Sequence, residues 1–179
     1  MALHSDAGFR TDDRIVGTLG IYTTHFNDGK LAAGTNRYAS RDLADLFLTR
    51  LQQDIRSTFN ADWTRRSHVE PVTTARPACL LFLPTIVESS AHQNFADMRL
   101  GHDPKFKFTA SRALYKSILQ YICTQHNKEY VVQPLPVHNF SVRFGKKKNT
   151  LELSWQGVDD PLEPTATPRE YIVYTRIGR

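Results

Sequence analysis

The chain runs from the apolar segment Ala78-Cys-Leu-Leu-Phe-Leu83 into Pro84-Thr-Ile-Val-Glu88-Ser-Ser-Ala-His92-Gln-Asn-Phe-Ala-Asp-Met98. A run of apolar residues without polar alternation is typical of a strand covered on both faces, as in the parallel sheet of an α/β domain. Glu88 is then predicted at or just past the carboxyl end of that strand, where open α/β sheets bind their ligands. An alternative interpretation is that Glu88 caps the helical turn that follows.

Composition indicates a globular chain with anionic partners. The content of 40% hydrophobic and 23% charged residues is typical of a globular protein. The length of 179 residues is enough for one ordinary domain, or for one and a fraction. The net charge of +5 favours anionic partners, which include nucleic acid and bacterial cell-wall polymers. The basic run Lys146-Lys-Lys148 contains no aromatic residue, so it predicts a solvated hairpin turn rather than a nucleic-acid interface. Cys79 and Cys123 are predicted to pack as small apolar side chains, not as a disulfide.

Neither a membrane span nor a signal peptide is predicted. No apolar run approaches the roughly 20 residues that cross a bilayer. The first residues lack the basic and then apolar regions of a secretory signal, so an exported protein would carry its targeting segment outside this chain.

The first two-thirds of the chain alternate between strand and helix patterns. Residues 14–24 are rich in β-branched side chains and predict a strand. Ser40 is the expected N-cap of a helix reaching about Phe59, and Thr109 or Ser111 is the expected start of another helix, after a break at Asp103-Pro104. The connection over 61–77 is predicted to line a cleft, with Trp63 as a packing residue or, alternatively, as a platform for a sugar ring. This alternation predicts an α/β sheet domain.

The pattern changes at the proline-rich segment Val131-Val-Gln-Pro-Leu-Pro136. Beyond it, three segments alternate with period two and predict the first strands of an all-β sandwich, with Trp155 as a core anchor: 140–144, 150–155 and 171–175. The chain also begins inside what looks like a core strand. The predicted domains are therefore the carboxyl-terminal portion of an α/β domain over 1–132 and the amino-terminal portion of a β-sandwich over 133–179.

Five segments together resemble the zinc-dependent N-acetylmuramoyl-L-alanine amidases. They are Leu3-His4-Ser5-Asp6-Ala7-Gly8-Phe9, Gly17-Thr-Leu-Gly-Ile-Tyr-Thr23, Ser40-Arg-Asp-Leu-Ala44, Trp63-Thr-Arg-Arg66 and Glu88-Ser-Ser-Ala-His92-Gln-Asn-Phe-Ala-Asp-Met98. The resemblance is to the version in large secreted Bacteroidetes proteins often labelled xanthan lyases, in which a fibronectin type III-like module follows the amidase domain. The stretches Gln133-Pro-Leu-Pro136 and Leu153-Ser-Trp155 resemble that junction.

The resemblance implies a zinc site and a substrate. In the family two His and one Glu hold zinc, and a further Glu is the catalytic base. His4 matches the last metal ligand and Glu88 matches the catalytic carboxylate, whereas the other two ligands belong to elements that precede the His4 motif. The resemblance thus implies peptidoglycan as partner and a secreted or periplasmic parent protein. The isolated chain is predicted to be inactive and to bind zinc weakly, because one His cannot hold zinc tightly.

Two alternatives remain open from the sequence. In the first, the chain is a non-catalytic module that uses the same folds to bind glycan or peptide. In the second, the lyase label describes the reaction, and the protein cleaves a polysaccharide by β-elimination. His92 and His102 flank the turn after Glu88, on the side of the predicted chemistry, but single histidines of this kind are more often structural than metal ligands. His25 is predicted to be a surface loop residue, with a role in the site as the alternative.

Overall fold

The computed structural model describes residues 2–6, 12, 14–23, 37–70 and 85–176. By its internal contacts the chain divides into two compact units, Met1–His126 and Asn127–Arg179. The division lies just after a helix ends, whereas the sequence predicts a change of domain after Val132. The apolar segment 78–83, with Cys79, and the loop residue His25 lie outside the described residues.

The first unit contains a four-stranded mixed sheet. Its strands are β1 (Ala2–Asp6), β2 (Thr18–Thr23), β3 (Arg65–Glu70) and β4 (Thr85–Ala91), in the order β1-β4-β2-β3. β1 runs parallel to β4 and β2 parallel to β3, but β2 and β4 are antiparallel. The general α/β class is confirmed, while the expectation of a parallel sheet is wrong for the central pair.

Two predictions about individual strands are also wrong. β1 is an edge strand of the described sheet, with Leu3 50% exposed, rather than a core strand. β3 lies in the stretch predicted as a connection. The strand was not predicted because its sequence, Arg65-Arg-Ser-His-Val-Glu70, shows no apolar alternation. β3 is held through backbone pairing to β2 from Thr18 opposite Arg65 to Thr23 opposite Glu70.

Among the described residues, three helices accompany the sheet: α1 (Arg37–Thr58), α2 (Phe95–Gly101) and α3 (Pro104–Gln125). α1 begins before Ser40, so Ser40 lies inside the helix and is not its N-cap. α3 begins at Pro104, so the predicted start at Thr109 or Ser111 is wrong, whereas the predicted break at Asp103-Pro104 lies where α2 gives way to α3. Asp103 accepts a hydrogen bond from the Lys105 N–H at 2.8 Å, and proline suits the first helical turn because its missing N–H would have no helical partner.

The core of the first unit lies between α1, α3 and the sheet. Phe47, Leu51 and Ile55 of the predicted α1 stripe are buried. Trp63 is fully buried, as predicted for a packing residue; its Nε1 donates to Thr18 Oγ1 at 2.9 Å and its ring lies 5.3 Å from that of Phe106. The predicted apolar stripe of α3 is only partly buried in the core, since Ala113 is buried but Ile118 and Ile122 are 39% and 49% exposed. Cys123 is a buried free thiol.

The second unit contains the hairpin β5 (His138–Phe144) and β6 (Leu151–Gln156) and a 3₁₀ turn, Pro164–Ala166. The strands are antiparallel, and the basic run before Asn149 forms their turn, as predicted. The third predicted strand is wrong: residues 171–176 pair with no strand among the described residues. Alternation of apolar and polar residues gives an extended segment one apolar and one polar face, but a β-strand also needs a neighbouring strand to pair with its backbone N–H and C=O groups. Trp155 is half-buried against the Tyr171 ring, at 5.3 Å.

Among the described residues, none of the helices combines the length and the apolar character needed to cross a membrane.

Candidate functional site

The two residues predicted to carry chemistry lie on neighbouring strands. In the parallel pair β1–β4, His4 is the register partner of Glu88, although the two are far apart in sequence. The His4 residue is exposed, and its carbonyl accepts a hydrogen bond from Ser89 Oγ at 3.1 Å. The register is irregular between His4 and Asp6, so the regular pairing ends just beyond this step.

Glu88 does not lie at the end of its strand. It is in the middle of β4, which continues to Ala91, so the prediction that Glu88 sits at or past the carboxyl end is wrong. The predicted strand over 78–83 lies outside the described residues, as does the Glu88 side chain. The alternative capping role is also wrong, because the side chain that caps the following helix α2 belongs to Asn94, which accepts from the Asp97 N–H at 2.9 Å.

His92 lies close to the same pair of strands. Its Nδ1 is 3.3 Å from Ser5 Oγ, the residue next to His4 on β1. His102, in contrast, ends α2 through its backbone N–H, which donates to the Met98 carbonyl at 3.0 Å. Of the two histidines predicted to flank the turn after Glu88, the structure therefore brings His92, and not His102, into contact with β1.

Asp97 is a buried carboxylate that joins three parts of the first unit. Its oxygens accept hydrogen bonds from the N–H groups of Val16 at 2.9 Å, Gly17 at 3.0 Å and Ala91 at 2.9 Å. Burial raises the pKa of Asp97 above its ordinary value of 3.8, while these three N–H groups and the Arg66 guanidinium oppose the rise. The carboxylate thus ties the residues before β2 to the end of β4.

Asn94 completes this buried connection. Besides capping α2, its Nδ2 donates to the Arg14 carbonyl at 3.1 Å, and the residue is 3% exposed. The sequence analysis assigned no role to Asn94 or Asp97. The signal was present, because Asn followed three residues later by an acidic residue is a common start of a helix.

The described residues do not form a complete metal site. Nowhere in the described part of the chain do three His, Cys, Asp or Glu side chains come together as possible ligands. Structural and catalytic zinc sites use at least three protein ligands. The part of the chain that the structure describes therefore supplies no complete set of zinc ligands.

A cavity of about 920 Å³ opens elsewhere on the first unit. It lies between the segment before β2, the turn before β3 and the helix α2, and its lining includes Arg14, Asp62, Thr64, Phe95 and Arg99. The prediction that the connection after α1 lines a cleft is confirmed by Asp62 and Thr64. The part played by α2 was missed, because a seven-residue helix gives little periodic signal.

Comparison of the chain with protein-family models, with curated proteins and with solved structures gives no match.

Proposed function

We propose that this chain contributes His4 and Glu88 to a zinc-dependent cell-wall amidase, which hydrolyses the amide between N-acetylmuramic acid and L-alanine of peptidoglycan. The observation that carries the proposal is the β1–β4 register, in which His4 lies opposite Glu88. His4 is the proposed metal ligand. Glu88 is the proposed general base, which takes a proton from the attacking water and gives it to the departing amine.

Zinc belongs to this proposal only in the complete enzyme. When bound by three protein ligands, zinc activates a water and polarises the amide carbonyl. Since the described residues bring no three ligands together, the 179-residue chain alone is proposed to be inactive and to bind zinc weakly. Isothermal titration tests this directly, and tight one-to-one zinc binding would contradict it.

The second unit is proposed to be the amino-terminal portion of a fibronectin type III-like module. Support comes from the hairpin, in which Val142 pairs with Leu153 and Phe144 with Leu151, while the alternate pair Arg143–Glu152 is charged. One face of the ribbon is thus apolar and the other polar, as in a sheet of a sandwich. In keeping with a cell-wall substrate, the parent protein is proposed to be secreted or periplasmic.

The test is a digest of purified peptidoglycan by the protein as its native gene encodes it, with zinc present. Release of free stem peptides, measured by mass spectrometry, is the expected result. Glu88→Gln should reduce the rate by roughly 10²- to 10⁴-fold, the usual contribution of a general base. His4→Ala should also remove activity and weaken zinc binding. Unchanged release from Glu88→Gln would refute the assignment.

Matched controls come from the second unit. Glu152→Gln and His138→Ala make the same kinds of change at exposed positions of the hairpin, and neither should alter the rate of release. If the substrate is instead cleaved by β-elimination, unsaturated products that absorb in the near ultraviolet will form, and no stem peptide will be released.

A non-catalytic binding module is the second candidate function. The cavity beside α2 favours it, because its size lies within the roughly 300–1,000 Å³ typical of ligand sites. Binding of peptidoglycan fragments without release of stem peptides by the native protein would support this function over the amidase.

A further inference from the structure

The cavity beside α2 is lined by both apolar and polar residues. Ile15 and Leu100 contribute apolar surface, and Ile15 is buried. Asn60 and Asp62 line it from the turn before β3, and Arg14 from the segment before β2. Ligand sites commonly combine a mostly apolar surface with a few polar groups that fix orientation.

Phe95 is the residue of this cavity that the fold does not explain. Its neighbour Asn94 caps the helix, Ala96 packs against the core, and Asp97 holds the backbone of β4. Phe95 is 73% exposed although it lies in the same short helix. A single exposed aromatic residue is ordinary on a protein surface, but here it lines a cavity together with a guanidinium.

Phe95 and Arg99 lie one helical turn apart. Residues four positions apart are on the same side of a helix, so the ring and the guanidinium border one stretch of the cavity wall. An aromatic ring offers a large apolar face, and a guanidinium binds a carboxylate through two parallel hydrogen bonds. This pair therefore suits a ligand with an apolar face and an adjacent carboxylate.

Arg99 is the guanidinium of the lining that suits an anionic group of a ligand. Arg14 also lines the cavity but pairs with Asp12, which lowers its availability for a ligand. Asp62 adds one carboxylate to the lining. The Asp62 carboxylate repels a doubly charged phosphate but accepts hydrogen bonds from hydroxyl groups. The Asn60 amide adds a donor, since its oxygen already accepts from the Asp62 N–H at 2.8 Å.

We propose that this cavity binds a carboxylate-bearing sugar of an acidic polysaccharide. Phe95 packs against the face of the sugar ring, Arg99 binds the carboxylate, and Asp62 accepts hydrogen bonds from ring hydroxyls. The proposal rests on the binding-module candidate, whose ligand class it names, and it does not depend on amidase activity.

The test is a titration of the full 179-residue chain, followed by NMR, with three probes. Tetragalacturonate supplies uronic acids, the disaccharide of N-acetylglucosamine and N-acetylmuramic acid supplies a lactyl carboxylate, and chitotetraose is neutral. We expect the carboxylated probes to bind about tenfold or more tightly than chitotetraose. The tighter of the two carboxylated probes identifies the source of the sugar.

Two variants test the assigned residues. Phe95→Ala and Arg99→Gln should each weaken binding of the carboxylated probe about tenfold, whereas Arg99→Lys should restore only part of the affinity because lysine lacks the paired donors. Phe108→Ala is the matched control, since Phe108 is 52% exposed on α3 and does not line the cavity. Thermal melts check that the variants fold.

The outcomes separate this proposal from the amidase proposal. His4→Ala should leave glycan binding unchanged. Equal binding of chitotetraose and the acidic probes, unchanged affinity in Phe95→Ala, or no binding of any probe at about 10 mM would overturn the proposed site.

Discussion

Lys116 and Asp54 form a buried ion pair between α3 and α1, and removing one partner should destabilise the first unit strongly. Lys116 Nζ lies 2.8 Å from Asp54 Oδ2, with the two side chains 1% and 9% exposed. The perturbation is Lys116→Met, which keeps most of the side-chain volume and removes the charge. The Asp54 carboxylate then stays buried without this partner.

The magnitude follows from the distance and the burial. At an effective dielectric constant of about 20, unit charges 2.8 Å apart attract by about 6 kcal/mol, most of which offsets the cost of taking both ions out of water. Removing one partner leaves the desolvation cost of the other, so Lys116→Met should lower the free energy of unfolding by about 3–5 kcal/mol. This is a large part of the roughly 5–15 kcal/mol that stabilises an ordinary domain.

The assay is urea unfolding followed by fluorescence of Trp63, which is buried in the first unit. Trp155 belongs to the second unit, so all variants are made in a Trp155→Phe background. Lys107→Met is the control, because Lys107 is an exposed lysine on the same helix, and it should change the unfolding free energy by less than about 0.5 kcal/mol.

A double-mutant cycle separates the pair from simple loss of packing. Asp54→Leu alone should also destabilise, but Asp54→Leu with Lys116→Met should recover most of the loss, since no buried charge of the pair remains. The reasoning is refuted if Lys116→Met costs less than about 1 kcal/mol, or if the double variant loses as much as the sum of the single variants.

Three further substitutions test the architecture around Asp97 and Trp63. Gly17 has a φ of +76°, and an added Cβ would lie 2.5 Å from the Thr64 carbonyl oxygen, so Gly17→Ala should cost at least about 1–3 kcal/mol in urea unfolding. Trp63→Phe removes the bond to Thr18 and should cost about 1–3 kcal/mol, measured by circular dichroism. Asp97→Asn places an amide NH₂ among backbone N–H donors and should cost about 1–3 kcal/mol. The pKa of Asp97 is raised on folding, so its carboxyl binds its proton more tightly in the folded chain; the stability it confers is complete below pH 3.8 and is lost as the pH rises through the folded pKa. The stability advantage of the native chain over Asp97→Asn should therefore shrink from pH 4 to pH 7, and an advantage that grows would contradict the raised pKa.

The general α/β class could be predicted because it depends on local apolar patterns. The stripe of Phe47, Leu51 and Ile55 has helical spacing and is buried as that spacing requires. β3 could not be predicted, because its position depends on backbone pairing with β2 and not on its own side chains. The start of α3 was missed because the pair Asp103-Pro104 is compatible with two local structures. It can end one element, as was predicted, and it can also form the N-cap and first residue of a new helix, as it does here.

The β1–β4 register shows what sequence can and cannot supply for the site. His4 and Glu88 were selected from local motifs and were predicted to converge on neighbouring strands, but the motifs do not fix the register between those strands. Their adjacency depends on which strands pair and on a register that a shift of one residue would change. The buried ion pair between α3 and α1 was missed for a related reason. A lysine in a helix is expected at the surface, and its burial here depends on the packing of α1, which brings Asp54 next to Lys116.

The segment from His92 to Arg99 separates residues that the fold explains from residues that it does not. Asn94 and Asp97 are buried and hydrogen-bonded to backbone groups, so their polarity is accounted for by the connection between β4, α2 and the residues before β2. His92, Phe95 and Arg99 are exposed and support no such connection. His92 contacts β1 beside His4, whereas Phe95 and Arg99 line the cavity. One short polar segment thus borders both proposed sites, and substitutions at its exposed positions should test the proposed catalysis and the proposed glycan binding separately, without removing the buried contacts of Asn94 and Asp97.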